Sequence, residues 1–351
     1  MSIQLGLCCH NLNLRYGKPK IFTGRTIKLS TIYKEGLQKL IQVSNENLDD
    51  LKKMIEWNYR HGIFVYRISS DIIPHSSNFI IADRFGKSGE EYMQILPFIT
   101  KLREIGNLAK KYNMRLTFHP GQYVQIATPN EDVYKKSIQD LLMHATILDF
   151  MGMGKDSVMV IHGGGTYKDK NSTIKVLNSR LKTLPEIIKK RIVLENDERQ
   201  YSITDLLPIC QENNIPLVFD YHHYECHAKI NPDKNEDIYA MTPAIIETWK
   251  RRGIKPKFHL SEQGDGRIGC HSTIIKDIPK YFFDLIDKYK LNFDLMIEAK
   301  GKEVSLALLY SKYPKLLKIK GKASIPAIIP KQALKDVKID QHIKDSCICA
   351  K

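Results

Sequence analysis

The 351-residue chain is 42% hydrophobic and 26% charged and carries a formal net charge of +15, a composition that builds one large core or two modest ones and excludes an unfolded chain. No run approaches the roughly eighteen consecutive apolar residues of a helical membrane span, so no membrane partner is expected. The excess of cations suits a polyanionic partner as well as a lysine-solvated surface, and charge alone does not choose between them.

From the N-terminus, residues 1–9 are apolar but short and lack a basic leader, so no signal peptide is expected. An intracellular, reducing compartment follows, in which the seven cysteines read as free thiols. Short apolar runs bounded by turn residues mark eight strands, at 3–9, 64–70, 115–119, 157–162, 191–196, 216–222, 257–261 and 293–299. Amphipathic segments at 48–59, 94–112, 133–151, 176–189, 204–212 and 243–251 lie between them. Asn47 is placed to cap the first of these, and Gly62 to end it. Eight alternating units predict an α/β fold of the TIM (β/α)8 barrel type, with an open doubly wound sheet as the alternative. One catalytic domain is expected over 1–310. Beyond it, 311–351 holds ten lysines against three aspartates and reads as a basic, solvated extension rather than a DNA grip. Cys347 and Cys349 lack the second pair of ligands a zinc site needs.

A TIM barrel collects its chemistry at the C-terminal ends of its strands, and the histidines and carboxylates of this chain fall there. His75 follows the second strand, and His119, His162 and Glu195 end the third, fourth and fifth. Asp220 and His223 end the sixth, His259 and His271 lie in and after the seventh, and Glu298 closes the eighth. A single histidine in such a place is usually a satisfied core group. So many groups in one funnel would carry a prohibitive desolvation cost unless cations compensated them. Mixed imidazole and carboxylate donors suit Zn²⁺ or Mn²⁺ better than Mg²⁺, and Glu195 or Glu298 is placed to bridge two ions. Clustered metals in a basic protein point to phosphoryl chemistry, because a bound ion both polarises the phosphate and lowers the pKa of water from about 15.7 towards 7.

Other motifs are less specific. The run His162-Gly-Gly-Gly165 suits backbone approach to a phosphate, or simply a tight turn, and no Gly-x-Ser-x-Gly, Walker or His-Glu-x-x-His motif accompanies it. His119-Pro-Gly-Gln-Tyr123 puts an amide and an aromatic ring at the tip of a turn, as a wedge for a base stack or as packing on the rim. Arg25, Arg67 and Arg84 are candidates for phosphate contacts or for structural ion pairs. His227, four residues after His223, has no helix signal around it and reads as incidental.

Leu5-Gly-Leu-Cys-Cys9, Arg25-Thr26, Trp57-Asn58, Tyr66-Arg-Ile-Ser-Ser-Asp71, Pro74-His-Ser-Ser77 and His119-Pro-Gly-Gln122 resemble the UV damage endonuclease family. So, in the family's order, do His162-Gly-Gly164, Leu194-Glu-Asn-Asp197, Phe219-Asp-Tyr-His-His223, Lys257-Phe-His-Leu-Ser261 and Ile297-Glu-Ala-Lys300. The resemblance runs from residue 3 to about 310. It implies a xylose-isomerase-like, endonuclease-IV-like barrel binding up to three divalent metals, most often Mn²⁺, with Zn²⁺ or mixed occupancy as alternatives. Lys257 matches a lysine that the family can carboxylate and use as a ligand, joining Glu195 and Glu298 as catalytic candidates. The implied activity is metal-dependent incision of double-stranded DNA immediately 5′ of cyclobutane dimers and 6-4 photoproducts, with abasic sites also cut, leaving a 3′-hydroxyl and a 5′-phosphate. Gln122 and Tyr123 match residues that probe the helix and fill the gap left by a flipped lesion, and Asn11, Arg25 and Arg67 are the further DNA-contact candidates. A monomer is expected. The sequence departs from the family pattern in its lysine-rich tail and at Leu7, where some relatives carry an aromatic. The competing expectations are an abasic-site endonuclease of the endonuclease IV type, a metal-dependent sugar isomerase and a noncatalytic DNA-binding protein.

Overall fold

All eight expected strands form: β1 (Ile3–Cys8), β2 (Val65–Arg67), β3 (Arg115–Thr117), β4 (Met159–His162), β5 (Ile192–Glu195), β6 (Leu217–Val218), β7 (Lys257–Leu260) and β8 (Phe293–Ile297). The computed structural model describes residues 2–78, 81, 95–234, 236–317, 323–344, 346 and 348–349. Most strands end short of the apolar pattern because their last residues turn out into loops; the segment 216–222 leaves the sheet at Val218, and His222 already lies in the helix Tyr221–Ile230. Pairing is parallel throughout, in one arc ordered β3-β2-β1-β8-β7 and another ordered β4-β5-β6. Single parallel bridges, Phe118 to Met159 and Asp220 to His259, join the arcs. The strands therefore close in chain order into a TIM barrel, and the open-sheet alternative is set aside.

Period-two alternation decides what fills the barrel. On β7, Phe258 faces outward onto Phe282 and Phe293, at ring separations of 6.3 and 5.3 Å, which sends Lys257 and His259 inward. Cys8, Val65 and Met296 form an apolar cluster inside the barrel. Gly6 lies close beside them: a methyl there would lie 3.0 Å from Met296 Sδ and 3.1 Å from Val65 Cγ1, so the Met296 tip would have to give way. At the floor, Arg115 donates to fully buried Asp294 at 2.8 Å and Lys255 pairs with the same carboxylate. The interior is therefore plugged below, and its remaining polar groups lie at the other mouth.

Several local expectations change. The first long helix is Leu37–Arg60, so Asn47 lies in its interior rather than at its N-cap. Its buried amide accepts from Arg25 N at 3.0 Å and donates to the carbonyls of Arg25, Asp71 and Ile72 at 2.9, 3.2 and 3.3 Å, pinning two loops to the helix. The segment 176–189 divides into Lys170–Lys182 and Glu186–Lys189 around Pro185. Helices at Leu12–Tyr16, Lys280–Tyr289 and Glu303–Lys312 escaped the sequence pattern. Gln94, Arg84 and Cys347 lie outside the described residues.

Among its described residues, the C-terminal segment docks on the barrel rather than standing as a solvated extension. Ile329, Ala333, Ile339, Ile343 and Cys349 bury themselves with Leu12, Ile274 and Val304 in a second apolar cluster. Cys349 donates its thiol to the Ile343 carbonyl within that cluster. Among the described residues, no helix is long and apolar enough to cross a membrane.

Candidate metal centre

Backbone pairing alone assembles half of the site. His162 and Glu195 are register partners on β4 and β5, and Asp220 and His259 are the two residues of the β6–β7 bridge. Glu195 lies at the centre, fully buried. Its Oε2 is 2.9 Å from His119 Nε2 and 3.7 Å from His162 Nε2; its Oε1 is 2.7 Å from His259 Nδ1 and 3.7 Å from His223 Nδ1. Glu298 Oε1 is 3.2 Å from His259 Nδ1, and its Oε2 is 3.8 Å from His271 Nδ1. Lys257 Nζ abuts His259 Nε2 below them. The structure thus brings together nine of the ten residues expected to bind metal.

The tenth, His75, stands apart. It sits at a φ of +56° in the turn after β2, with its Nε2 2.6 Å from the Ile27 carbonyl. Three other expectations also change. Asn11 is 1% exposed and spends its side-chain oxygen capping Leu12–Tyr16, 2.9 Å from Leu14 N, so it offers no surface to DNA. Arg25 pairs with Asp50 at 2.7 Å and donates to the Phe22 carbonyl. Arg67 is turned onto Glu298. Each guanidinium thus has an internal carboxylate partner, the structural ion pair that the sequence left open beside a phosphate contact. His227, read as lacking a helix signal, lies buried in Tyr221–Ile230, whose N-cap is Asp220.

The wedge candidates differ in kind from these buried groups. Gln122 and Tyr123 stand at the tip of the loop after β3, and Tyr123 is 84% exposed. The loop is held by Gln125, which sequence reasoning missed. It donates to the Gln122 carbonyl at 2.8 Å and accepts from Gly165 N at 2.9 Å and from the Tyr167 hydroxyl at 3.1 Å. Gly164, at a φ of +91°, must lack a side chain, because a methyl would lie 2.7 Å from Gln125 Oε1. The glycine run thus docks the wedge loop, and the Gly165 amide is already engaged. A cleft of about 600 Å³ opens between these loops and the 197–200 turn, above the cluster. Asn196 was also missed, although it sits inside the motif 194–197. Its side chain pairs both ways with the Asp220 backbone, at 3.0 and 2.8 Å, and its carbonyl is 3.0 Å from His223 Nδ1.

The buried carboxylates are held in their charged form. Burial would raise the pKa of Glu195, but the charges of His259 and His162 and hydrogen bonds from His119 and His259 hold it well below the usual carboxylate range. Glu298 is likewise held low against burial, chiefly by Arg67 and His259. Burial and the neighbouring Arg67 bring Lys257 down to about 8. Against burial, Asp220 and Glu195 push His223 up to about 9.

The residues fit divalent metals. Asp220 Oδ1 accepts from His223 N at 2.8 Å, whereas its buried Oδ2 has no hydrogen-bond partner and faces His223 Nδ1 only at 3.8 Å. A carboxylate oxygen so placed costs several kcal/mol unless a cation meets it. Three sets, His119-His259-Glu298, His119-His162-Glu195 and Glu195-Asp220-His259, each gather donor atoms within 4.8 Å of one another.

A family model described as UV-endonuclease UvdE matches residues 3–327. The chain belongs to this UV-endonuclease family. It is 39% identical over 321 residues to the UV-damage endonuclease of Schizosaccharomyces pombe, an alignment covering 88% of this chain and 50% of that protein. The chain therefore spans about half the length of that relative. To the UV DNA damage endonuclease of Bacillus cereus strain B4264 it is 34% identical over 310 residues, covering 87% of this chain and 93% of the relative. The crystal structure of SacUVDE superposes with a TM-score of 0.74 at 29% identity, covering 90% of this chain and all of that one. Endonuclease IV from Thermus thermophilus shares the fold, with a TM-score of 0.53 at 12% identity over 90% of this chain and 100% of that one. Membership of the UV-endonuclease family thus agrees with the barrel seen here.

Proposed function

We propose that this protein incises double-stranded DNA immediately 5′ of UV photoproducts, and at abasic sites, leaving a 3′-hydroxyl and a 5′-phosphate, with up to three divalent ions, Mn²⁺ foremost, at the barrel mouth. Family membership makes the chain a DNA-repair endonuclease for UV damage; the cut position, the lesion range, the metal and a monomeric state belong to the proposal. The observation that carries it is the meeting of two features over one cleft: a buried imidazole and carboxylate cluster with an unmatched Asp220 oxygen, and a projecting Gln122-Tyr123 tip.

His119, His162, Glu195, Asp220, His223, His259, His271 and Glu298 would hold the ions, with Lys257 beneath them. Bound divalent ions supply Lewis acidity towards the scissile phosphate and a water of lowered pKa. The protein's own part is orientation. Asn196 fixes Asp220 and His223, Arg67 holds Glu298, and the plugged floor keeps bulk water out from below. Tyr123 is placed to enter the stack where a lesion has already weakened it, so recognition reads deformability more than sequence.

The test is incision of end-labelled duplexes carrying one thymine dimer, one abasic site or no lesion, with EDTA, Mn²⁺, Zn²⁺ or Mg²⁺. A metal-dependent cut 5′ of the dimer is expected. Cutting at the abasic site alone would move the activity to the endonuclease IV type, and no cut with any metal would reject the proposal.

A further inference from the structure

The loop after β7 carries His271 and is folded back on itself by an antiparallel bridge between Gln263 and His271. Gly264 N donates to Cys270 O at 2.7 Å, and Ser272 N donates to Glu262 O at 2.8 Å, closing the loop. Both of its arms are gripped from outside by one residue of the C-terminal segment. Asp340 Oδ2 accepts from Thr273 N at 2.6 Å, and Asp340 Oδ1 accepts from Asp265 N at 3.0 Å. Asp340 N donates back to Thr273 Oγ1 at 2.7 Å, and the next residue, Gln341, donates its N–H to Asp265 Oδ2 at 2.7 Å.

The same carboxylate reaches the segment that follows β8 and carries Glu298. Lys300, two residues after Glu298, donates Nζ to Asp340 Oδ1 at 3.0 Å. The backbone there is sewn to the loop as well, by Lys300 N to Ser272 O at 3.0 Å and Gly301 N to Thr273 O at 2.7 Å. The contact is close enough that a methyl at Gly301 would lie 2.6 Å from the Thr273 carbonyl. Asp340 is 1% exposed, and its neighbours Ile339 and Ile343 anchor it in the second apolar cluster against Leu12, Ile274 and Val304. This anchor lies beyond residue 327, where the match to the family ends.

We propose that Asp340 is a positioning residue that fixes His271 and Glu298 relative to each other, so that the C-terminal segment is an integral part of the metal centre. The inference rests on the reading of that centre as metal-binding. A buried charged acceptor gripping two backbone amides and an ammonium sets loop position more firmly than neutral contacts would. Loss of a group bonded directly to a metal ligand costs roughly 10- to 100-fold in metal affinity; Asp340 acts one contact further out, through Thr273 and Lys300, so the low end of that range applies.

The experiment compares full-length wild type, Asp340→Ala, Asp340→Asn and Lys300→Met by Mn²⁺ titration calorimetry and by metal content after gel filtration, with far-UV circular dichroism at the same temperature. Wild type is expected to bind Mn²⁺; if it does not, the underlying metal reading fails before Asp340 is in question. Asp340→Ala, still folded, should lose one equivalent or bind it at least about tenfold more weakly, and Asp340→Asn, which keeps an acceptor oxygen, should recover part of the loss. A purely structural brace would lower the melting temperature and leave stoichiometry and affinity unchanged, and that result in Asp340→Ala overturns the proposal. Should Asp340→Ala fail to fold, Lys300→Met decides, because it removes the tie between Asp340 and the Glu298 segment and leaves the backbone hydrogen bonds in place: weakened Mn²⁺ binding supports the proposal and wild-type binding overturns it.

Discussion

Replacing Glu195 by Gln keeps the shape of the side chain and removes its charge. That charge faces His119 and His259 at 2.9 and 2.7 Å, with His162 and His223 each 3.7 Å away, and Glu195 belongs to two of the three donor sets. At about 4 Å and an effective dielectric of about 20, one unit of opposite charge is worth about 4 kcal/mol, or about a thousandfold in a rate or binding constant. The double charge of a divalent ion raises this attraction, and desolvation of the buried groups takes part of it back, so about a thousandfold is the working magnitude. Single-turnover incision of a dimer-bearing duplex should therefore fall about a thousandfold, and metal content should fall with it. Affinity for the same duplex, read by mobility shift, should stay close to wild type, because phosphate and base contacts are made elsewhere. Parallel loss of incision and binding in a folded variant, or incision within tenfold of wild type, would refute the reasoning.

Changing Gln122 and Tyr123 together to alanine should leave stability unchanged, since both lie at an exposed tip; the affinity ratio between damaged and intact duplex should drop more than nonspecific binding does, and an unaltered ratio would remove the wedge role. His144 lies 3.2 Å from Asp140 Oδ2. Against burial, Asp140 holds His144 above its usual 6.5, and His144 in turn holds Asp140 below its usual 3.8. The His144 contribution is complete below 6.5 and is lost as pH rises through its folded pKa, whereas the Asp140 contribution is present above 3.8 and is lost as pH falls through its own. Urea unfolding should therefore find His144→Gln destabilised most between roughly pH 4 and pH 6.5, by about 1–2 kcal/mol given the partial exposure of Asp140; a pH-independent difference would assign the effect to packing instead. Lys257, at about 8, has its neutral amine depleted as pH falls, and the neutral amine is the form that adds CO₂. Bicarbonate should raise metal uptake more at about pH 8 than at about pH 6, and Lys257→Met should abolish the response; equal responses at both pH values would argue against carboxylation.

The strands and most of the metal centre were legible because both depend on short-range signals. An apolar run has only one place to go in a barrel, and a histidine or carboxylate at its C-terminal end must face the mouth. His75 escaped this logic because it sits on a turn, where a left-handed backbone rather than strand alternation aims the ring. Asn47 was misread because a capping asparagine and a buried loop anchor look alike until the upstream turn, with Leu40 and Val43 on the core side, is recognised as helix. The docked C-terminal segment was hidden for a different reason. Its apolar residues come in isolated pairs four apart, Ile329 with Ala333 and Ile339 with Ile343, too short to mark an amphipathic helix; lysines surround them, and the surfaces that receive them, Leu12, Ile274 and Val304, are distant in sequence. Arg25 and Arg67 show the converse limit, since sequence registers a guanidinium but not the carboxylate already beside it.

The two single-residue bridges that close the barrel give metal loading a second meaning. One bridge lies between β3 and β4, the other between β6 and β7, and these are the lines along which the wall is thinnest. The set His119-His162-Glu195 spans the first line, and Glu195-Asp220-His259 spans the second. An ion held by either set would act as a clasp across a seam that the backbone joins by a single bridge. Amide exchange along these two seams should then slow when Mn²⁺ is added, and unchanged exchange would deny the clasp.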